Sequence, residues 1–270
     1  LLDPVDEFAI ETIRTYSDKE FQSISRGDLD LDDAESQEAK KETEEIAKNN
    51  DDLVKDIKGC RAFLKKVGYP VVVKPDNGVG ANNTYKLKCD EDVEFFINTK
   101  DDNVYIMEEF VNGYVQTYDG IVDSQGNMLF ESGNITPLSL MDIVNDNGDS
   151  VYYLVKAIPE KVRKAGLATI ESFGVKSRFV HLEFFILNED QEGLGKKGDV
   201  LGLEVNMRPA GGFTPEMYNY SQETDVYKIW ADMIAFDYNT KDIGNSHFCA
   251  FYGRRDGKHY KMDDYEVMMK

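Results

Sequence analysis

Two short stretches of alternating polar and apolar residues place the strongest limits on how this chain folds. Residues 180–184 read Val-His-Leu-Glu-Phe, and residues 201–208 read Leu-Gly-Leu-Glu-Val-Asn-Met-Arg. Side chains alternate between the two faces of a strand, so each stretch is predicted to form a strand with one apolar and one polar face. The residues predicted on the polar faces are His181, Glu183, Glu204, Asn206 and Arg208.

The loop between these two strands, residues 188–199, is rich in Gly and Lys, and the simplest arrangement of its flanking strands is antiparallel. Glu183 and Glu204 are therefore predicted to lie close together, where their charges raise each other's pKa. A magnesium ion, which prefers hard oxygen ligands, would remove that repulsion. One interpretation is a metal site in which Asn206 is a neutral ligand and the planar guanidinium of Arg208 binds phosphate or carboxylate. A solvent-facing polar sheet surface is the other.

A second motif places Lys74 at the end of the apolar strand 71–74, before a loop that contains Gly78 and Gly80. Gly lets backbone N–H groups approach phosphate closely, and the lysine adds positive charge. A strand-to-turn junction with a surface lysine would give the same pattern.

A third motif is the apolar strand 104–109, which runs into Glu108, Glu109 and then residues 110–113. Strand ends of this kind present backbone groups to an adenine edge, but a plain exit into a loop is also consistent with the sequence. The remaining elements predicted from periodicity are helices at 60–67, 90–98, 159–173 and 225–236, and strands at 118–123, 128–133, 179–187 and 200–206.

Composition limits the partners and the compartment. The 270 residues carry a formal net charge of −20, and an acidic chain lacks the Lys and Arg clusters that hold nucleic acid. No apolar run approaches the roughly 20 residues that span a bilayer, and no charged-then-apolar leader opens the sequence. Cys60, Cys89 and Cys249 are odd in number and widely separated. We therefore expect a cytoplasmic protein that binds neither nucleic acid nor membrane.

The charge is concentrated in residues 1–57, which carry 18 acidic and 7 basic side chains, a net charge of −11. This segment is predicted to be mostly helical, and its opening LLDPVDEFAIETIRTYSDKEFQSISRGDLDLDD resembles a region near the end of the middle domain of HtpG-type heat-shock chaperones. The ATP-binding and dimerisation domains of that family are not included, so no chaperone activity follows. This segment is interpreted as a fusion remnant or a join near residue 58, or else as a docking or oligomerising appendage.

From residue 60 to residue 236 the order of the motifs resembles the ATP-grasp superfamily. The most specific motif is the run Leu-Glu-Val-Asn-Met-Arg-Pro-Ala-Gly-Gly at residues 203–212. The resemblance implies an α+β fold in which two subdomains clamp a nucleotide. The expected units are a chaperone-like segment at 1–57, a small subdomain at 58–110, a large subdomain with the metal site at 111–240, and a C-terminal hairpin extension at 241–270.

The resemblance also implies a role for each motif. In that interpretation ATP phosphates contact Lys74, Gly78 and Gly80, adenine contacts Glu108 and Val111, Mg²⁺ or Mn²⁺ binds Glu183, Glu204 and Asn206, and Arg208 faces the transferring phosphate. The implied enzyme is an ATP-dependent ligase that joins a small-molecule carboxylate to an amine through an acyl phosphate, releasing ADP and phosphate.

Several alternatives stay open. A carboxylation that uses bicarbonate fits the same motifs, and so does a catalytically silent domain, either a truncated ATP-grasp or a chaperone-derived interaction module. Counted from Glu108, the acid that commonly holds the ribose in this superfamily falls at Val115, which has no carboxylate. The preceding substrate domain would lie upstream of residue 60, where the chaperone-like segment stands. A homo-oligomer is compatible with the sequence.

Overall fold

The computed structural model describes residues 57–76, 83–137 and 148–269. These residues form a mixed α+β structure with two antiparallel sheets. The segment predicted to be chaperone-like and helical lies outside the described residues, apart from Ile57. Gly78 and Gly80 also lie outside them.

The smaller sheet has three antiparallel strands in the order β2-β1-β3 and carries two helices. Its elements are α1 (Ile57–Val67), β1 (Val71–Pro75), β2 (Tyr85–Leu87), α2 (Asp90–Thr99) and β3 (Tyr105–Glu109). Alternate residues of β1, Val71 and Val73, are fully buried in one apolar cluster with Cys60 of α1 and Phe96 of α2. The alternation of β1 therefore fixes which face of this sheet the two helices cover.

The larger sheet has seven strands in the order β10-β7-β6-β4-β8-β9, with β5 paired to β4. Its strands are β4 (Gly113–Val122), β5 (Met128–Ser132), β6 (Asn134–Thr136), β7 (Ser150–Leu154), β8 (Arg178–Leu187), β9 (Val200–Asn206) and β10 (Cys249–Gly253). The two longest strands, β4 and β8, pair from Gly113 opposite Leu187 to Val122 opposite Arg178. This long pairing forms the centre on which the candidate site is built.

One face of the larger sheet is covered by α3 (Glu160–Ser172). Val162 and Ile170 of this helix join Tyr118 and Leu182 in an apolar cluster. Gly166 lies so close to the ring of Tyr118 that a Cβ atom there would come within 2.4 Å of it. A glycine is needed at this crossing because any side chain would push the helix off the sheet.

The opposite face is covered by α4 (Thr214–Gln222) and α5 (Val226–Phe236). Tyr218 of α4 and Ile229 of α5 are fully buried, in a cluster with Ile121 of β4 and Phe179 of β8. Odd-numbered residues of β4 and β8 therefore point towards α4, and even-numbered residues point towards α3.

The hairpin expected for residues 241–270 is wrong. The strand β10 pairs with β7, about one hundred residues earlier, and no returning strand follows it in the described part of this extension. The chain ends instead in the short helix α6 (Asp264–Met268), which begins with a capping box between Asp263 and Glu266. None of the helices in the described ranges combines the length and the hydrophobicity of a membrane-spanning segment.

Candidate functional site

Glu183 and Glu204 are direct partners across the last two strands of the larger sheet. The strands β8 and β9 run antiparallel, as predicted, with Glu183 opposite Glu204 and His181 opposite Asn206. The register shifts immediately after Glu183, so that Phe184 lies opposite Gly202. Directly paired residues share one face of a sheet, so the two carboxylates lie side by side.

A buried chain of polar contacts leads into this pair from β4. His181 Nδ1 lies 2.6 Å from Asp119 Oδ1, and His181 Nε2 lies 3.1 Å from Glu183 Oε1. The other oxygen of Asp119 accepts a hydrogen bond from the Thr117 hydroxyl. The side chain of Asp119 is fully buried, whereas that of Glu183 is 14% exposed. The contacts thus run from the interior to the partly open end of the site.

The electrostatics of this chain favour a positive His181. Burial by itself lowers the pKa of a histidine, but here the charge of Asp119 and the hydrogen bonds to Asp119 and Glu183 outweigh it. The pKa of His181 is raised to about 10. In the absence of a metal, the imidazolium therefore offsets part of the negative charge of the flanking carboxylates.

The pKa of Glu204 is raised, first by burial and then by the charge of Glu183. The charges of His181 and Arg208 and the nearby Asn206 amide act in the opposite direction but do not cancel the rise. A carboxyl with a raised pKa next to a second carboxyl is a position where a cation would be stabilising.

Asn206 is 3% exposed, and its amide nitrogen has no well-directed hydrogen bond to any residue that the structure describes. With Glu183 and Glu204 it forms a set of hard oxygen donors of the kind that Mg²⁺ prefers. No group of three or more His, Cys, Asp or Glu side chains in the described ranges could hold a metal ion alone. Two carboxylates and one amide match part of the coordination shell of a magnesium ion, whose other ligands would be water and substrate oxygens.

Arg208 lies two residues beyond the end of β9 and is exposed. Its guanidinium donates to the carbonyl of Pro209 at 3.0 Å, and its positive charge acts on Glu204. Arg208 is thus next to the carboxylate pair and open to solvent.

The structure brings Lys74 and Glu108 together on the smaller sheet. Lys74 Nζ lies 2.8 Å from Glu108 Oε2, and both side chains are about one-fifth exposed. The register places Lys74 opposite Ile106 and Val72 opposite Glu108, so the ion pair runs diagonally between β1 and β3. The lysine expected to face phosphate and the acid expected to face adenine are therefore neighbours.

Val111 lies in the linker between β3 and β4 and is half-buried. The linker residues on either side of it, Phe110 and Asn112, have backbone groups bound to the loop between β8 and β9. Val111 itself makes no backbone hydrogen bond to any residue that the structure describes. Its N–H and carbonyl therefore have no backbone partner in that part of the chain.

Sequence patterns did not identify Asp119 as a member of this site. The only local signal is the alternation Thr117-Tyr118-Asp119, in which two polar residues flank a core tyrosine. That alternation could have placed Asp119 on a polar face, but only the pairing of β4 with β8 brings it to His181.

Solved structures with similar folds share this architecture. A biotin carboxylase domain of the Hydrogenobacter thermophilus 2-oxoglutarate carboxylase, in complex with MgADP and bicarbonate, superposes with a TM-score of 0.54 at 15% identity, over 73% of this chain and 44% of that one. The N5-carboxyaminoimidazole synthetase of Staphylococcus aureus in complex with ADP superposes with a TM-score of 0.54 at 12% identity. The match covers 72% of this chain and 52% of that one. The described region has the ATP-grasp fold. Since these identities are low, the likeness establishes the fold and not the reaction.

The ATP-grasp strands begin inside a region that also matches another family. The family model of the Hsp90 protein matches residues 1–74, which extends the expected segment past residue 57 and into β1. The HtpG chaperone of Oceanobacillus iheyensis is 33% identical over 81 residues, 28% of this chain and 13% of that protein. The HtpG chaperone of Clostridium acetobutylicum is 38% identical over 93 residues, which are 32% of this chain and 14% of that protein. The chain thus spans about half or less of each similar structure and a small part of each chaperone.

Proposed function

We propose that this chain is an ATP-dependent carboxylate–amine ligase that binds ATP together with Mg²⁺ or Mn²⁺. The observation that carries the proposal is the direct pairing of Glu183 with Glu204 beside the buried Asn206. These three side chains would hold the cation, with His181 orienting Glu183 from behind. When bound, the cation would neutralise charge on the phosphate oxygens.

The nucleotide would lie between a small subdomain, residues 58–110, and a large subdomain, residues 111–240. Lys74 would leave its ion pair with Glu108 to contact phosphate oxygens, and Glu108 would then face the base with the backbone of Val111. Gly78 and Gly80 are proposed to bring backbone N–H groups to the phosphates. The exposure of both side chains, about one-fifth each, supports this exchange of partners, because the lysine is not fully enclosed in the interior.

The proposed reaction has two steps. An oxygen of the substrate carboxylate bonds to the γ-phosphorus of ATP, the bond to the bridging oxygen breaks, and ADP leaves. The amine nitrogen then bonds to the acyl carbon, inorganic phosphate leaves, and the amine loses a proton. Arg208 would stabilise the charge of the transferring phosphoryl group, and its exposed position next to the carboxylate pair supports this role.

Turnover assays on the whole chain test this function. ADP formation is measured with Mg-ATP and a panel of small carboxylates, each with and without a panel of amines. The proposal expects sustained ADP formation that needs both an acid and an amine and is lost in Glu204→Gln. Glu171→Gln, an exposed acid on α3, is the matched control and should keep full activity. ADP formation with bicarbonate alone would redirect the proposal to a carboxylation.

A catalytically silent binding domain is the second candidate. It is favoured by Val115 on β4, because this is the position at which the resemblance expects the acid that holds the ribose, and valine has no carboxylate. The match of residues 1–74 to the Hsp90 family also leaves a chaperone-derived interaction module open. This candidate predicts nucleotide binding without ADP formation on any acid and amine in the panel.

We also propose that the protein works in the cytoplasm on small-molecule substrates. Cys89 and Cys249 are free thiols, which suits a reducing compartment.

A further inference from the structure

The side chain of Gln191 forms hydrogen bonds to the backbone of the linker between β3 and β4, residues 110–112. The N–H of Asn112 donates to Gln191 Oε1 at 2.7 Å, and Gln191 Nε2 donates to the carbonyl of Phe110 at 3.2 Å. One amide group therefore holds backbone groups on both sides of Val111. A bidentate contact of this kind fixes orientation as well as distance, because both hydrogen bonds must be satisfied together.

Gln191 is itself held in a tight turn of the loop between β8 and β9. Its N–H donates to the carbonyl of Gly195 at 2.9 Å, and the N–H of Gly195 donates back to the carbonyl of Gln191 at 3.0 Å. Gly193 within this turn has a φ of +82°, a conformation that favours glycine. The turn therefore presents the Gln191 amide from a backbone that is already fixed.

Further contacts attach the same linker to this loop. Asn112 Nδ2 donates to Glu189 Oε1 at 2.6 Å, and the N–H of Asn188 donates to the carbonyl of Asn112 at 2.9 Å. On the side of the smaller sheet, Lys86 Nζ lies 3.4 Å from the ring centre of Phe110. The linker is thus held from both sides, and within it the backbone of Val111 makes no hydrogen bond to a described residue.

We infer that Gln191 is a positioning residue for the base of the nucleotide. By fixing the peptide groups on both sides of Val111, it would keep the N–H and carbonyl of Val111 directed towards the base. This inference rests on the proposed nucleotide site and deepens it. The side-chain hydrogen bonds of Gln191 go to the linker backbone, so its loss is expected to affect the base and spare the triphosphate.

Two ligands separate these contributions in a binding experiment on the full chain. Dissociation constants are measured by calorimetry for Mg-ATP and for Mg-tripolyphosphate, which has the phosphates but no base. The variants are Gln191→Met, which keeps the side-chain length and removes both hydrogen bonds, and Gln191→Glu, which keeps the acceptor for Asn112. Glu192→Gln, an exposed neighbour in the same turn, is the control.

The inference expects Gln191→Met to bind Mg-ATP about tenfold more weakly and Mg-tripolyphosphate within about twofold of wild type. The affinity of Gln191→Glu for Mg-ATP should lie between those of Gln191→Met and wild type. Glu192→Gln should bind both ligands as tightly as wild type. Unchanged Mg-ATP binding in Gln191→Met, or equal weakening of both ligands, would overturn the inference while leaving the nucleotide site intact. Wild type that binds neither ligand would overturn the proposed function and this inference together.

Folding of the variants is checked by their melting temperatures without ligand. If Gln191→Met does not fold, Gln191→Glu carries the test, since it retains the hydrogen bond from Asn112. Selective weakening of Mg-ATP in that variant supports the inference, and unchanged binding contradicts it.

Discussion

The Nε2 atom of His181 lies 3.1 Å from Oε1 of Glu183. Because the opposite ring nitrogen is bound to the fully buried Asp119, this contact fixes the direction in which Glu183 faces Glu204. The two carboxylates are thus supported from within the sheet and open towards solvent only at their ends. Such support is typical of metal ligands, whose outer contacts orient them.

Removing one of the two facing charges should stabilise the ligand-free protein. The pKa of Glu204 is raised by burial and by Glu183, so its ionised form is unfavourable at neutral pH. We expect Glu204→Gln to raise the melting temperature of the metal-free chain by about 2 °C, measured by calorimetry in a chelator. Glu171→Gln should leave it unchanged, and a lower melting temperature for Glu204→Gln would contradict the placement of the charges.

The stability that His181 contributes should decline at high pH. Its pKa is raised from 6.5 to about 10, so the contribution is fully present below pH 6.5 and is lost as the pH rises towards 10. Urea unfolding at pH 6, 8 and 10 measures the free energy of unfolding of wild type and of His181→Gln. The difference between the two proteins should shrink as the pH rises. The NMR signal of His181 can also be followed directly as the pH changes, because the chain has three histidines in all. A signal of His181 that titrates near pH 6.5 would contradict the account.

Lys74 and Glu108 should be energetically coupled in the ligand-free protein. Their ion pair of 2.8 Å is about one-fifth exposed, so a double-mutant cycle with Lys74→Met and Glu108→Gln should give about 1 kcal/mol. The exposed pair of Arg61 and Glu94, with both side chains 53% exposed, is the control and should give a few tenths of that. Equal coupling in the two pairs would show that the Lys74–Glu108 geometry is not maintained in solution.

Asp123 should stabilise the turn between β4 and β5. Its carboxylate accepts hydrogen bonds from the N–H groups of Gln125 and Asn127, both at 2.8 Å. Burial raises the pKa of Asp123, but these hydrogen bonds outweigh it and the pKa is lowered, so this stability is lost as the pH falls. We expect Asp123→Ala to lower the free energy of unfolding by about 2 kcal/mol at pH 7.

The difference between Asp123→Ala and wild type should shrink in acid, where the wild-type carboxylate is protonated. Asp123→Asn keeps one acceptor oxygen and should cost less than Asp123→Ala. Equal stability of all three proteins at pH 7 would contradict the role of Asp123 in the turn.

The strands that carry the carboxylates could be predicted because their information is local. Alternation identified residues 200–206, which are the bounds of β9, and the intervening loop indicated the antiparallel pairing of Glu183 with Glu204. The roles assigned to these residues stay predictions. The helix predicted at 159–173 agrees with α3 to within one residue at each end.

Long-range pairing explains what the sequence could not provide. A hairpin was expected within residues 241–270, but the partner of β10 is β7, which the sequence pattern did not reveal. The role of Asp119 was hidden for the same reason, since its partner His181 lies 62 residues further along the chain. Neither contact leaves a periodic pattern within a short window.

The metal dependence of ATP binding tests the central claim most directly. Isothermal titration of the full chain with ATP is performed in Mg²⁺ and in a chelator, on wild type and on the double variant Glu183→Gln/Glu204→Gln. We predict that wild type binds ATP at least tenfold more tightly with Mg²⁺ and that the double variant loses this difference. Equal ATP affinity in Mg²⁺ and chelator, or an unchanged magnesium effect in the double variant, would contradict the claim that these carboxylates hold the cation.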